Sequence, residues 1–316
     1  MTTTNTTPAK KGFIPVMLTP FTETGKIDFD ALTGLTEFYL EAGAAGLFAN
    51  CLSSEMFELD EAERIQLIEH VLKVTNGSVP VVATGTFGGP IAKQAEFVNR
   101  VANTGVQAVI GITGLLAEEN ESDEVFNGRV EELMRLTGNV SLGFYECPVP
   151  YKRLISPEQL HQFVSTGRVT YHKDTCLDIE QIKAKLNGTN RQPDFGLYDA
   201  YMVHAVESLK AGSAGLSCIQ GNYFPELLVW LCDNYNNEVL AAEVNRVQQF
   251  FIDNMDVMHN VYPKVAKYYL QKRGVKMNGY TRRNVGEISS DVKEQVDKLY
   301  KDYNVLQHEL QIKSVL

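Results

Sequence analysis

The sequence predicts an α/β protein: a (β/α)8 TIM barrel followed by a C-terminal helical extension. Three observations carry this. Eight short apolar runs alternate with about eight helix-like segments over residues 12–222, at a spacing of roughly 25–30 residues, and such alternation implies a parallel sheet. The runs are continuously apolar, as in strands buried on both faces. The first turn, Thr19-Pro20-Phe21, lacks the glycines that open a doubly wound nucleotide-binding sheet.

Residues 1–11 are Thr-rich, have no apolar core and read as a disordered tail. Residues 12–18 form the first strand and stop at Thr19-Pro20. Residues 28–42 space Leu32, Leu35, Phe38 and Tyr39 as a helix does and close at Gly43. The pattern repeats as strand 46–50 with helix 60–74, strand 79–85 with helix 91–102, and strand 108–112 with helix 122–136. It continues as strand 140–145 with helix 157–164, strand 169–173 with helix 178–186, and strand 194–198 with helix 202–210. Residues 215–219 are the eighth strand. Beyond Asn222 only helices follow, at 226–232, 240–259, 265–271 and 291–310. Residues 223–316 are therefore read as an extension packed on the barrel, offering an oligomer surface or simply completing the fold.

The 316 residues, 44% hydrophobic and 22% charged, have a globular composition, and barrels of this class run past about 200 residues as one domain. A net charge of -10 argues against nucleic acid as a partner, while leaving room for local positive charge in a site. The cysteines Cys51, Cys147, Cys176, Cys218 and Cys232 are dispersed without C-x-x-C spacing, which favours reduced thiols in a cytoplasmic protein. No long apolar run suggests a membrane span.

In a barrel, the carboxyl ends of the strands build the active site. Here they read Thr19, residues 50–55, Thr84-Gly85-Thr86, Thr113-Gly114, Tyr145-Glu146, Lys173-Asp174, Tyr198-Asp199 and residues 217–222. On the sixth strand, alternation puts Val169, Tyr171 and Lys173 on one face and Thr170 and His172 on the other. If the lysine faces the interior, burial lowers its amine from the ordinary pKa of about 10.4, and the free amine attacks a ketone to form a Schiff base. On this stretch alone, a solvated strand-end lysine remains the alternative. The six histidines are scattered without His-x-x-x-His spacing, so no zinc site is expected. Glu146, Asp174 and Asp199 suit either magnesium or hydrogen-bonding partners. Gly85-Thr86-Phe87-Gly88-Gly89 lacks the Lys-Ser/Thr of a phosphate loop and reads as a tight turn.

Four features together resemble the dihydrodipicolinate synthase / N-acetylneuraminate lyase family of class I pyruvate aldolases. They are Lys173, Tyr145 in Tyr145-Glu146-Cys147-Pro148, the turn Ser53-Ser54-Glu55, and Gly215 with Asn222 seven residues on. The opening 14–21 and the stretch from Pro263-Lys264 to Gly274 fit as well, so the resemblance spans roughly residues 12–300. It implies that Lys173 forms a Schiff base with pyruvate or a 2-keto acid, and that Tyr145 shuttles protons. It implies too that Ser53 and Ser54 hold the keto-acid carboxylate and that Ser217 presents a carbonyl to the site. It implies no cofactor, a small-molecule keto acid as ligand, and a homo-oligomer, a dimer or homotetramer.

The departures bear on substrate. Leu52 stands where the family turn has its first hydroxyl, Ser54 where it has glycine, and Leu115-Leu116 where a neighbouring subunit's tyrosine is expected. Pro150 stands at the arginine that binds the second substrate, with Lys152 or Arg153 as substitutes, and Cys176-Leu177 replaces a Thr-Gly pair. A kept Schiff-base half with an altered second-substrate half points to a 2-keto-3-deoxy sugar-acid aldolase or dehydratase, a carbon–carbon or carbon–oxygen lyase. The alternatives are a catalytically degenerate keto-acid-binding barrel and dihydrodipicolinate synthase itself.

Overall fold

A computed structural model of the chain describes residues 11–189 and 192–315. Its strands are β1 (Gly12–Phe13), β2 (Leu47–Ala49), β3 (Val81–Thr84), β4 (Ala108–Ile112), β5 (Leu142–Tyr145), β6 (Val169–Asp174), β7 (Gly196–Asp199) and β8 (Gly215–Leu216). They run parallel in the order β1-β8-β7-β6-β5-β4-β3-β2. The two ends of this sheet meet at a parallel bridge between Val16 and Phe48, where Met17 N donates to Phe48 O at 3.1 Å and Phe48 N to Pro15 O at 3.0 Å. The sheet thus curls into the expected (β/α)8 barrel.

The connecting helices are α1 (Phe29–Glu41), α2 (Glu61–Thr75), α3 (Ile91–Ala102), α4 (Asp123–Leu136), α5 (Pro157–Ser165), α6 (Ile179–Thr189), α7 (Ala205–Ala211) and α8 (Pro225–Asn234). Their starts follow local chemistry. Asp60 and Glu63 form a reciprocal capping box on α2, and Ser156 and Gln159 do so on α5, where Pro157 fits the first turn because its missing N–H has no intrahelical partner to lose. The chain then adds α9 (Ala241–Asp253), α10 (Met255–His259), α11 (Lys264–Lys272) and α12 (Ser290–Glu309). Tyr223, Phe224, Tyr269 and Tyr303 cluster where these last helices meet the barrel.

Several elements differ from their expected bounds. The first strand shrinks to two residues and a bridge, because Pro15 has no N–H for a ladder. Pro80 likewise delays β3 to Val81. The single helix expected over 240–259 is broken at Asn254, whose Nδ2 donates back to Phe250 O at 2.8 Å. Of the expected tail, residues 1–10 lie outside the described residues.

The buried apolar side chains form two bodies. Ile14, Val16, Phe48, Val82, Ile110, Ile112, Tyr145 and Tyr171 fill the barrel interior, while a larger cluster lies between the strands and the helices. The pairing of β5 with β6 shifts register between Leu142 and Gly143, which pair with Val169 and Tyr171, so Thr170 is an extra, bulged residue. The bulge turns Val169 into the outer cluster with Leu142 and leaves Tyr171 inside. This corrects the expectation that Val169 shares a face with Tyr171 and Lys173.

Gly215 shows how tightly β8 meets β1. A Cβ there would lie 1.7 Å from the Gly12 carbonyl oxygen. Gly215→Ala is expected to cost about 3 kcal/mol or more in urea unfolding, and an unchanged midpoint would contradict that close approach.

Candidate active site

The ends of β5 and β6 are in register, with Tyr145 beside Lys173. Among the described residues three lysines are buried: Lys173 (4% exposed), Lys185 and Lys267. Two of them are neutralised by acids. Lys185 Nζ reaches Glu146 Oε1 at 2.7 Å and Asp174 Oδ2 at 2.6 Å, and Lys267 Nζ reaches Glu55 Oε1 at 2.8 Å. Lys173 has no carboxylate within ion-pair distance among the described residues. Its Nζ stands 4.2 Å from the centre of the Tyr145 ring, and its electrostatic neighbours are the thiols of Cys51, Cys147 and Cys218. Burial therefore acts with little to oppose it and pushes the amine below its ordinary range. A neutral amine at the carboxyl end of a barrel strand is a nucleophile.

Burial also raises the Tyr145 phenol well above its ordinary value, with Cys147 and Cys51 adding to the effect. At neutral pH the phenol keeps its proton, so it starts any reaction as a donor. Below the amine, Tyr171 stacks on Tyr198 at 4.9 Å and donates its hydroxyl to Ser217 Oγ at 3.2 Å. Ser217 N donates to Asp199 O at 2.8 Å, while the Ser217 carbonyl accepts no hydrogen bond among the described residues. Burial pushes the neighbouring Cys218 thiol up to about 12, so it is not a competing nucleophile.

The turn after β2 contains a short 3₁₀ segment, Leu52–Ser54, between Asn50 and Glu55 in the left-handed region at φ 52° and 58°. The two serines expected at the carboxylate do different work. Ser54 Oγ donates to Met17 O at 2.7 Å and accepts from Cys51 N at 3.0 Å, and Ser54 N donates to Cys51 O at 2.9 Å. These bonds engage its hydroxyl and N–H in closing the turn. Ser53 Oγ instead accepts from Tyr262 Oη at 2.7 Å, and its N–H makes no hydrogen bond among the described residues.

The outward face of the same strand ends carries a separate polar cluster. Glu146 and Asp174 both turn to Lys185 of α6, with His172 Nε2 3.5 Å from Glu146 Oε1 and 3.4 Å from Asp174 Oδ2. Glu146, His172 and Asp174 are close enough together to suit a metal, yet the Lys185 ammonium stands among them. The same carboxylates anchor both loops, since Glu146 accepts from Ile155 N and Thr175 N, each at 2.9 Å, and Asp174 accepts from Cys176 N at 2.8 Å. Asp199 sits apart and pairs with His204 at 3.1 Å.

The two basic residues after Pro150 are tied elsewhere. Arg153 bonds Asp123 Oδ1 at 2.9 Å and the carbonyls of Glu118 and Glu121 at 3.0 and 2.7 Å. Lys152 Nζ donates to Thr175 O at 2.9 Å.

Sequence reasoning missed the contribution of the C-terminal helices. Tyr262 reaches Ser53, and Lys267 neutralises Glu55, whose other oxygen accepts from Arg283 N at 2.8 Å. One signal was available: Tyr262 precedes Pro263 in the gap between two helical patterns, where the backbone is kept out of helix.

The sequence profile of the Dihydrodipicolinate synthetase family matches residues 9–303. The 4-hydroxy-tetrahydrodipicolinate synthase of Shewanella pealeana is 22% identical over 286 residues, covering 89% of this chain and 93% of its own. Two solved structures share the fold. A prophage protein of the dihydrodipicolinic acid synthase family from E. coli K12, in complex with pyruvate, superposes with a TM-score of 0.83 at 18% identity, over 93% of this chain and 98% of its own. CdNal from Clostridium difficile, in complex with mannosamine, superposes with a TM-score of 0.80 at 17% identity, over 93% and 99%. With a profile match across nearly its whole length, the chain belongs to the dihydrodipicolinate synthetase family, whose members are Schiff-base-forming, pyruvate-dependent lyases.

Proposed function

We propose that this lyase acts on pyruvate or a 2-keto-3-deoxy sugar acid through an imine on Lys173. The observation that carries the reading is a buried amine without an acid partner among the described residues, set against the Tyr145 ring. The neutral amine attacks C2 of the keto acid, Tyr145 protonates the departing oxygen, and water leaves. The resulting iminium accepts the electron pair of the C3–C4 bond as that bond breaks. The Tyr145 phenolate takes the C4 hydroxyl proton, which releases an aldehyde and leaves an enamine. Protonation at C3 and hydrolysis then return the lysine and release pyruvate. In a dehydratase the same imine acidifies C3, the Tyr145 phenolate left by imine formation takes the C3 proton, and Tyr145 returns it to the C4 hydroxyl, which departs as water. Ser53 N–H and O–H would hold the carboxylate, and the Ser217 carbonyl would face the bound acid.

The names of the curated relatives favour a second reading, 4-hydroxy-tetrahydrodipicolinate synthase itself. Against it, Arg153 is committed to Asp123 and to the Glu118 and Glu121 carbonyls rather than free to take the place of a second-substrate cation, and the exposed Lys152 donates to Thr175 O. Turnover assays with a panel of 2-keto-3-deoxy acids, alongside pyruvate with aspartate semialdehyde, separate the two. In these assays Tyr145→Phe is expected to lower kcat by about 10²–10⁴-fold, the usual worth of a positioned acid–base group. Undiminished turnover would remove Tyr145 from the mechanism.

The rate of imine formation with pyruvate is expected to rise with pH as Lys173 loses its proton, with an inflection below the ordinary lysine value of about 10.4. An inflection at or above that value would contradict a desolvated amine. We also read the protein as a cytoplasmic homo-oligomer, a dimer or tetramer. Support for the compartment comes from five free cysteines, and no described helix is long and apolar enough to cross a membrane. Light scattering would test the assembly, and a mass near 35.3 kDa in solution would contradict it.

A further inference from the structure

A second phenol reaches the turn after β2, and it comes from beyond the barrel. Tyr262 lies between α10 and α11. The residue before it, Val261, is β-branched yet held at φ 42°, a strained conformation that persists only where the surroundings enforce it. What fixes the segment is a row of hydrogen bonds. Tyr39 Oη donates to Asn222 Oδ1 at 2.5 Å. Asn222 Nδ2 donates to Val16 O at 3.0 Å and to Tyr262 Oη at 2.7 Å. Tyr262 Oη donates to Ser53 Oγ at 2.7 Å.

This row has a direction. The Asn222 amide is oriented by Val16 O, which can only accept, so Nδ2 must face Val16 and Tyr262 while Oδ1 faces Tyr39. The Tyr262 oxygen receives the amide proton and therefore gives its own to Ser53. Ser53 Oγ, having accepted one proton, is left with its O–H to donate, and no described residue takes it. Burial raises the Tyr262 phenol above its ordinary value, so it stays protonated and the row keeps its sense. Ser53 is buried in the turn that also offers an unpaired N–H. Two uncommitted donors on one residue suit a carboxylate.

We propose that Tyr262 is a positioning residue that acts through Ser53, presetting the serine hydroxyl as a donor to the carboxylate of the keto acid. This rests on the reading of Lys173 as the imine-forming amine. Without the Tyr262 proton, the Ser53 hydroxyl is free to rotate and to spend its own proton elsewhere, and bound keto acid loses one preset donor. The C-terminal helices then contribute to substrate affinity as well as to the fold.

Trapping by borohydride as a function of pyruvate concentration tests this on the full-length chain. Tyr262→Phe keeps the ring and removes the O–H. Its half-saturating pyruvate concentration is expected to rise about 3–10-fold, the worth of one hydrogen bond, with the fraction trapped at saturation unchanged. In a Ser53→Ala background the same substitution is expected to add less than about 2-fold, because the residue through which it acts is gone. Unchanged half-saturation in Tyr262→Phe, or an equal effect with and without Ser53, overturns the proposal. Loss of trapping at saturation also overturns it, since Tyr262 would then support the amine or the fold. Absence of trapping in the unsubstituted protein sinks the imine reading and this proposal together, whereas normal trapping with an indifferent Tyr262 sinks this one alone.

Discussion

Lys173→Ala is expected to abolish turnover of every keto acid, a loss of at least about 10³-fold of the kind seen when a covalent nucleophile is removed. The same substitution is expected to leave the fold standing. Lys173 has no carboxylate partner among the described residues, so no buried charge is stranded when it goes. Its removal also relieves the cost of keeping an amine out of water, which offsets part of the cavity left behind. Thermal unfolding of the variant should stay within a few degrees of the parent while activity falls to background. Collapse of the fold, or residual turnover near the parental rate, would each remove Lys173 from the centre of the account.

Lys185→Met is expected to do the opposite. This lysine is as buried as Lys173, but it lies between Glu146 and Asp174. Burial opposes the Lys185 charge, yet these two carboxylates raise its pKa. Burial likewise works to raise both acids, and His172 and Lys185 outweigh it and hold them below their ordinary range. Removing the ammonium leaves two buried carboxylates with His172 and three backbone N–H groups but without their lysine counter-charge, and breaking a buried pair in this way costs about 3–5 kcal/mol. The deficit should depend on pH. Groups whose pKa is depressed by folding add stability that is present above their unfolded values near 4, and it is lost as pH falls towards the folded values. The gap between the parent and Lys185→Met should therefore be largest at neutral pH and shrink below about pH 4. Urea unfolding at both pH values measures it, and a gap that stays constant would show that Lys185 stabilises by packing alone.

The contrast between these two lysines shows what was legible in the sequence. Alternating apolar runs exposed the barrel because strands buried on both faces have no polar option. Lys173 stood out in sequence as a candidate amine because strand ends in a barrel face one site, whereas Tyr145 was singled out only by the resemblance to the family, and their side-by-side register is a feature of the folded sheet. Residues 185 and 267 look like ordinary helix lysines in sequence, and their partners Glu146 and Glu55 are 39 and 212 positions away. Ser53 and Ser54 are adjacent and chemically identical, and only the path of the turn sends one hydroxyl to Met17 O and the other to Tyr262. The bulge at Thr170 was equally hidden, since an extra residue in a strand leaves an apolar run looking continuous. Tyr262 carried a partial signal in the proline after it, but not the address of its hydroxyl.

The most direct test of the central claim is to incubate the protein with pyruvate, reduce with borohydride, and locate the adduct by peptide mass. The account predicts one stable adduct, on the peptide carrying Lys173, absent when pyruvate is omitted and absent in Lys173→Ala. An adduct on another lysine, or none with pyruvate or larger keto acids in a folded protein, would contradict it.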